Sequence, residues 1–216
     1  MSALRIYIIT MKEGEIMSID LIVFTDGSAQ IGKPQYGGYS CIFVDPKKYK
    51  FSVLYDNINS DKIPYLELLA IYKAIYHSNE IRKSYGMKTI KILIISDHRN
   101  HVEALNNWIW NVWDTTTDTW KKKNGDIVSN QNVFKDIISI LEKGKVQIKI
   151  VHIRSHLKSN KTDIKAFCND MKDKGVYLNP YTAKVFIKFN QIADVYAKYG
   201  STYYTKKYNK SPIKLR

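Results

Sequence analysis

Four carboxylates stand alone at the ends of predicted secondary-structure elements, where a side chain can face a ligand. Asp26 and Asp97 each follow an apolar segment, whereas Glu67 and Asp194 lie beside the apolar faces of two predicted helices. A carboxylate at a strand tip of an open sheet is well placed to contact a ligand, and Gly27 permits close backbone approach. Taken singly, each position is equally typical of a turn or a solvated element end.

The elements that must position these carboxylates follow the order βββαβα…βα. Strands are predicted over 20–25, 39–44, 49–56, 90–96 and 146–153, and the first is expected to stop at Asp26-Gly27. Apolar residues at helical spacing predict helices over 64–78, 99–113, 131–143 and 182–199. We therefore expect an α/β domain in which helices flank one sheet.

Residues 157–181 have the character of an insertion between the fifth strand and the last helix. Ile164, Phe167, Cys168 and Met171 have helical spacing, and Gly175 is a plausible stop. Its lysines predict a lid or an extra substrate clamp, and an outward-facing decoration is the alternative. The expected layout is an N-terminal extension over 1–19, a catalytic domain over 20–200 and a basic Tyr/Lys-rich tail over 201–216.

The charge balance favours a polyanionic partner. The chain has 216 residues, and 34 basic against 20 acidic residues give a formal net charge of +14. Nucleic acid is the expected partner, although basic charge can also serve solubility alone. Cys41 and Cys168 are too few for a disulfide framework and lack metal-ligand spacing. We therefore expect reduced thiols in a cytoplasmic or other intracellular compartment, and no apolar run reaches the roughly 18 residues of a membrane span.

The motifs in this order resemble type 1 ribonuclease H. The resemblance rests on 24–28 (FTDGS) with 37–39 (GGY), 65–70 (YLELLA), 95–97 (ISD), 153–156 (IRSH) and 190–194 (NQIAD). It implies an RNase H-like fold: a mixed five-stranded sheet, three antiparallel strands then parallel strands, flanked by helices. A basic handle and the extra helical insertion would complete it. We expect a monomer that binds RNA–DNA hybrids.

The resemblance also implies a reaction, the hydrolysis of the RNA strand of a hybrid. Clustered carboxylates repel one another and need cations to offset their burial. Asp26, Glu67, Asp97 and Asp194 would hold two Mg²⁺ ions, with Mn²⁺ as a substitute, and Asp26 would bridge them. Two such ions about 4 Å apart activate the attacking water and stabilise the leaving 3′-oxygen.

Other site residues follow from the same resemblance. His156 matches a catalytic-loop histidine that can carry a proton, yet a long segment, 157–189, separates it from Asn190. The expected substrate contacts are Gly27, Ser28, Trp120, Lys121, Lys122, Lys123 and Asn190. Trp120 beside three lysines is a candidate for contact with backbone and sugar.

One departure bears on specificity, and two other functions stay open. The family usually places an Asn pair, which touches RNA 2′-hydroxyls, where this chain has Ile63 and Pro64. A related nuclease acting on DNA, of resolvase or transposase type, is therefore the first alternative. A non-catalytic hybrid-binding module is the second, and the presence of all four carboxylates argues against it.

Overall fold

A computed structural model describes residues 19–30, 36–48, 50–155, 157–158 and 160–202. Five strands form one sheet: β1 (Leu21–Ala29), β2 (Tyr36–Asp45), β3 (Lys50–Asn59), β4 (Ile90–Ser96) and β5 (Val146–His152). The strand order is β3-β2-β1-β4-β5. The pairs β1–β2 and β2–β3 are antiparallel, and β1–β4 and β4–β5 are parallel. The predicted mixed sheet is thereby confirmed.

The helices cover both faces of this sheet. They are α1 (Ile63–Ser84), α2 (Arg99–Glu103), a π-helical turn (Ala104–Trp108), α3 (Ile109–Asn111), α4 (Gln131–Leu141), α5 (Lys161–Asp173) and α6 (Pro180–Thr202). Residue alternation along the central strands divides the core. Val23 and Ile94 face the cluster under α1 and α4, whereas Phe24 and Ile95 face the cluster under α5 and α6. Among the described residues, no helix is long and apolar enough to cross a membrane.

Several boundaries differ from the sequence predictions. β1 does not stop at Asp26-Gly27 but continues to Ala29, because Asp26, Gly27 and Ser28 pair with residues of β2. α1 extends beyond 78 to Ser84, and α6 begins at Pro180 and extends past 200 to Thr202. The helix predicted over 99–113 is interrupted by a π-helical turn.

The predicted helix in the insertion is confirmed as α5. Phe167 and Met171 are buried in the core cluster shared with α6, and Gly175 ends the segment with a φ of 68°, a left-handed conformation that favours glycine. Asn160 caps the helix by accepting a hydrogen bond from the backbone N–H of Asp163. The extension 1–18 and the tail from 203 lie outside the described residues.

Candidate active site

Asp26 lies in the middle strand of the sheet and is buried. The backbone N–H of Gly27 donates a 2.8 Å hydrogen bond to its carboxylate. Gly27 also lets α1 approach the strand, because a Cβ at this position would lie 2.6 Å from the carbonyl carbon of Leu66. The absence of a side chain therefore brings the start of α1 directly against Asp26.

Glu67 lies in the first turns of α1 and projects into this contact. Its side chain is buried, and its Oε2 has no hydrogen-bond partner among the described residues. Pro64 occupies the first turn of α1, where its missing N–H costs nothing. A buried carboxylate oxygen without a partner is costly unless a ligand or a proton satisfies it.

Asp97 follows β4, the parallel neighbour of β1. Thr25 is paired with Ser96 in the register of these strands, so the next residues, Asp26 and Asp97, emerge side by side. One carboxylate oxygen each from Asp26, Glu67 and Asp97 lies within 4.8 Å of the others. The three carboxylates thus converge where the parallel pairing of β1 with β4 ends.

The electrostatics of this cluster disfavour its full ionisation. Burial, with the nearby Asp97 and Asp194 charges, raises the pKa of Asp26 from 3.8 to about 7, although hydrogen bonds from Glu67 and Gly27 oppose the shift. Burial and the charges of Asp26 and Asp97 raise the pKa of Glu67 well above its ordinary value. Each of these two buried carboxyl groups therefore holds a proton to a higher pH than an isolated carboxylic acid does.

Asp194 lies on α6, which packs closely against the sheet. The Ser40 hydroxyl donates a 2.7 Å hydrogen bond to the carbonyl of Ala193, and a Cβ on Gly38 would lie 2.6 Å from the carbonyl carbon of Gly200. Asp194 is close enough to raise the pKa of Asp26. It is nevertheless outside the group of three, since its partly exposed carboxylate forms a 2.8 Å ion pair with Lys198.

A second segment has the same spacing as the one that carries Asp194. Asn190 and Asp194 are four residues apart on α6, and so are Asn169 and Asp173 on α5. The structure distinguishes the two segments, because Asp173 is exposed and has no part in the shifts of the buried carboxyl groups, whereas Asp194 acts on Asp26. The Asn–Asp spacing in the sequence therefore does not by itself identify the segment that faces Asp26.

The buried trio fits a hard divalent cation. Oxygen ligands are those that Mg²⁺ and Mn²⁺ take in proteins. The unsatisfied Oε2 of Glu67 and the raised pKa of Asp26 both indicate that the site lacks positive charge. A divalent cation would satisfy the oxygen and offset the repulsion.

His98 directly follows Asp97, His101 lies on α2, and His152 ends β5, where it pairs with Ser96. His98 and His101 stack with ring centroids 3.7 Å apart, and the His98 side chain accepts a hydrogen bond from the His101 backbone. Burial lowers the pKa of His101 to about 3 and also lowers that of His98 and of His152. Burial of these rings therefore favours their neutral form.

The basic handle is an irregular segment over 114–130. Lys121, Lys122 and Lys123 are exposed, and the backbone of Lys121 pairs with Asp114. Trp120 is buried with only 7% exposure, so little of its ring is available for the predicted contact with substrate. The ring packs in the core cluster, and the backbone N–H of Trp120 donates a hydrogen bond to the Gln131 side chain. Trp120 therefore anchors the handle.

The remaining predicted substrate contacts are Gly27, Ser28 and Asn190, and the predicted proton carrier is His156. Gly27 is buried and Ser28 is half-buried in β1, paired with β2. Asn190 is half-buried on α6, and its Oδ1 has no partner within the described part of the chain. His156 lies outside the described residues, between the exposed Ser155 and the half-buried Leu157.

One comparison with known proteins identifies the family of this chain. A model of the RNase H family matches residues 18–179, a segment that ends before Asn190 and Asp194. A search of curated protein sequences finds no match.

Solved structures with the same fold include viral and bacterial proteins. The Prototype Foamy Virus protease–reverse transcriptase is 17% identical at a TM-score of 0.59, over 91% of this chain and 23% of that chain. The foamy viral protease–reverse transcriptase in complex with RNA/DNA hybrid is 15% identical at 0.55, over 90% and 22%. The N-terminal RNase H domain of a Mycobacterium tuberculosis protein is 11% identical at 0.50, over 85% and 94%. The chain thus spans less than a quarter of the foamy virus chains.

Proposed function

Because this chain belongs to the RNase H family, we propose that it is an endonuclease that hydrolyses the RNA strand of RNA–DNA hybrids. The observation that carries the proposal is the convergence of Asp26, Glu67 and Asp97 at one edge of the sheet. The foamy viral protein of the same fold was solved in complex with RNA/DNA hybrid, which supports this substrate class, and also with dsDNA. The net charge of +14 suits such a polyanion.

The proposed cofactor is a pair of Mg²⁺ ions, with Mn²⁺ as a substitute. Asp26, Glu67, Asp97 and Asp194 are the residues that would hold them. When bound, the ions supply Lewis acids for the attacking water and the leaving 3′-oxygen, so that the products carry a 5′-phosphate and a 3′-hydroxyl. Gly27 and α1 hold Glu67 against Asp26, so these two ligands are positioned before substrate arrives.

Substrate contacts and proton transfer are proposed for other residues. Lys121, Lys122 and Lys123 are exposed cations that can bind phosphates, with Trp120 fixing the segment that carries them. Ser28 and Asn190 are the proposed polar contacts beside the carboxylates. His156 is the proposed proton carrier, on the sequence motif alone. The catalytic unit is proposed to be 20–200, with 157–181 as an insertion.

A second candidate is a nuclease that acts on DNA. Ile63 is 45% exposed at the start of α1, where an apolar side chain offers no hydrogen bond to a 2′-hydroxyl. Discrimination between RNA and DNA would then depend on backbone groups near Ser28. This candidate predicts cleavage of a DNA duplex at a rate similar to that of a hybrid.

One assay separates these functions. Matched RNA–DNA, RNA–RNA and DNA–DNA duplexes of one sequence are incubated with Mg²⁺, Mn²⁺ or EDTA. We expect cleavage of the hybrid alone, in either metal, and none in EDTA. Cleavage of the DNA duplex at a rate similar to or above that of the hybrid would favour the second candidate, and binding of the hybrid without cleavage would favour a non-catalytic module.

A further inference from the structure

The exposed face of α5 is asymmetric in charge. At about 100° per residue, Lys161, Lys165 and Lys172 fall within an arc of roughly 40°, and all three are exposed. The acidic residues of the helix lie along the other edge of the exposed arc: Asp163, Asp170 and Asp173. One edge of α5 therefore presents only positive charge.

The three lysines are not neutralised by their neighbours. Asp163 accepts hydrogen bonds from the backbone N–H of Lys158 and from the Asn160 amide, and Asp170 forms a 2.6 Å ion pair with Lys174. Within the described residues, Lys161, Lys165 and Lys172 have no ion pair. An uncompensated row of cations attracts a polyanion from solution.

α5 is held rigidly and is connected to the carboxylate cluster. The Lys174 ammonium donates a 2.6 Å hydrogen bond to the carbonyl of His152, and the Lys149 ammonium donates a 2.8 Å bond to that of Gly175. Leu157, which precedes the helix, accepts a 3.0 Å hydrogen bond at its carbonyl from the Gln191 amide. Gln191 lies on α6, three residues before Asp194. A helix fixed at both ends is suited to a static clamp rather than to a moving lid.

We infer that this edge of α5 is a second nucleic-acid contact, which binds phosphates of the hybrid outside the segment that is cut. Lys161 and Lys172 are about 16 Å apart along the helix axis at 1.5 Å per residue, a length that covers several phosphates of one strand. Arg154 and Lys158, both exposed, add positive charge to the segment between β5 and α5. The substrate identity rests on the proposed function, whereas the contact itself does not.

The test replaces Lys161, Lys165 and Lys172 together by Gln. The control replaces Lys88, Lys143 and Lys145 by Gln, which removes the same charge from exposed positions near the starts of β4 and β5, away from the carboxylates. Affinity for hybrids of about 10 and about 30 base pairs is measured by fluorescence anisotropy in EDTA over a range of salt. Thermal unfolding establishes that both variants are folded.

For the longer hybrid, we expect the α5 variant to bind roughly ten-fold more weakly than the control variant and to show a salt slope smaller by about 2 to 3. The difference should shrink for the short hybrid. Equal affinities of the two variants, or equal losses at both lengths, would overturn the second contact.

The outcomes also separate this contact from the proposed function. If the wild-type protein cuts hybrid but the two variants bind it alike, the α5 contact is wrong and the proposed function stands. If no duplex is cut but the α5 variant binds hybrid more weakly than the control, the contact stands and the proposed function is wrong.

Discussion

The carboxylate cluster and the basic handle over 114–130 differ in burial and in local structure. Asp26 and Glu67 are buried, and strand pairing and close backbone contact fix their positions. Lys121, Lys122 and Lys123 are exposed on an irregular segment. The difference indicates that the cluster is arranged for chemistry, which needs fixed geometry, and the lysines for binding, which needs only charge near phosphates. Changes in the cluster should therefore act on the rate, and changes in the lysines on affinity.

The largest effect is expected for Asp26→Asn. Loss of the central charge should lower kcat for hybrid cleavage at least ~10³-fold, since the variant lacks a group that acts on the transition state. Hybrid affinity should change little, because the lysines are untouched. Single-turnover rates and anisotropy measure the two quantities. Wild-type turnover by the purified variant would remove Asp26 from the site.

A matched pair of substitutions tests the fourth carboxylate. Asp194→Asn should lower the cleavage rate about 10²-fold, because Asp194 acts on Asp26 from α6. Asp173→Asn, on the segment of the same spacing, should leave the rate unchanged, because that carboxylate is exposed at the end of α5. The reverse pattern would move the fourth ligand to α5.

The strained cluster should make stability depend on pH when metal is absent. The pKa of Asp26 is raised to about 7 in the folded chain. Its ionisation therefore costs more in the folded than in the unfolded state, and this contribution to stability falls as pH rises from about 4 to about 7. Relative to wild type in EDTA, Asp26→Asn should gain about 3 kcal/mol across that range.

Urea unfolding of both proteins at pH 4.5 and 7.5 measures this difference. Mg²⁺ should stabilise the wild-type protein more at the higher pH, because it binds the ionised carboxylates. A stability difference that does not change with pH would mean that the carboxyl groups of the folded chain are not strained.

The close contact beneath α1 predicts a smaller effect on stability. Gly27→Ala places a Cβ against the backbone of Leu66 and Glu67, so the helix must shift, at a cost of about 1–3 kcal/mol and with a reduced kcat. The control Gly86→Ala meets nothing within 4 Å but adopts a φ of 63°. It should cost about 1 kcal/mol without an effect on kcat. Equal effects on kcat would contradict the positioning role of Gly27.

The smallest effect is expected on the lysine side of the comparison. Replacing Lys121, Lys122 and Lys123 by Gln should raise KM for hybrid roughly five- to ten-fold, with the salt slope reduced by about 2 to 3 and kcat nearly unchanged. Steady-state kinetics at several salt concentrations measure all three. If kcat falls and KM does not change, these lysines act on the chemistry, and the division between the two regions fails.

Much of the fold could be predicted because its signals are local. Alternating or continuous apolar residues located all five strands, and helical spacing located α1, α4, α5 and α6. The extension of β1 through Gly27 could not be predicted, because it depends on pairing with β2 and on the approach of α1. Tertiary contact also explains the burial of Trp120, whose polar, lysine-rich neighbours indicated exposure.

The candidate site shows the same limit. The sequence motifs named Asp26, Glu67 and Asp97, and the structure brings them together. The ion pair between Asp194 and Lys198, the raised pKa of Asp26 and of Glu67, and the stacking of His98 on His101 depend on distances in space. Spacing alone also does not distinguish Asp194 from Asp173.

The most direct test of the central claim is a strand-resolved cleavage measurement on one hybrid that carries different labels on its RNA and DNA strands. Wild-type protein and Asp26→Asn are compared under single-turnover conditions in Mg²⁺, with EDTA as the blank. We expect that only the RNA strand is shortened, only in Mg²⁺ and only by the wild-type protein, while both proteins bind the hybrid. Cleavage of the DNA strand, or cleavage by Asp26→Asn at the wild-type rate, would contradict it.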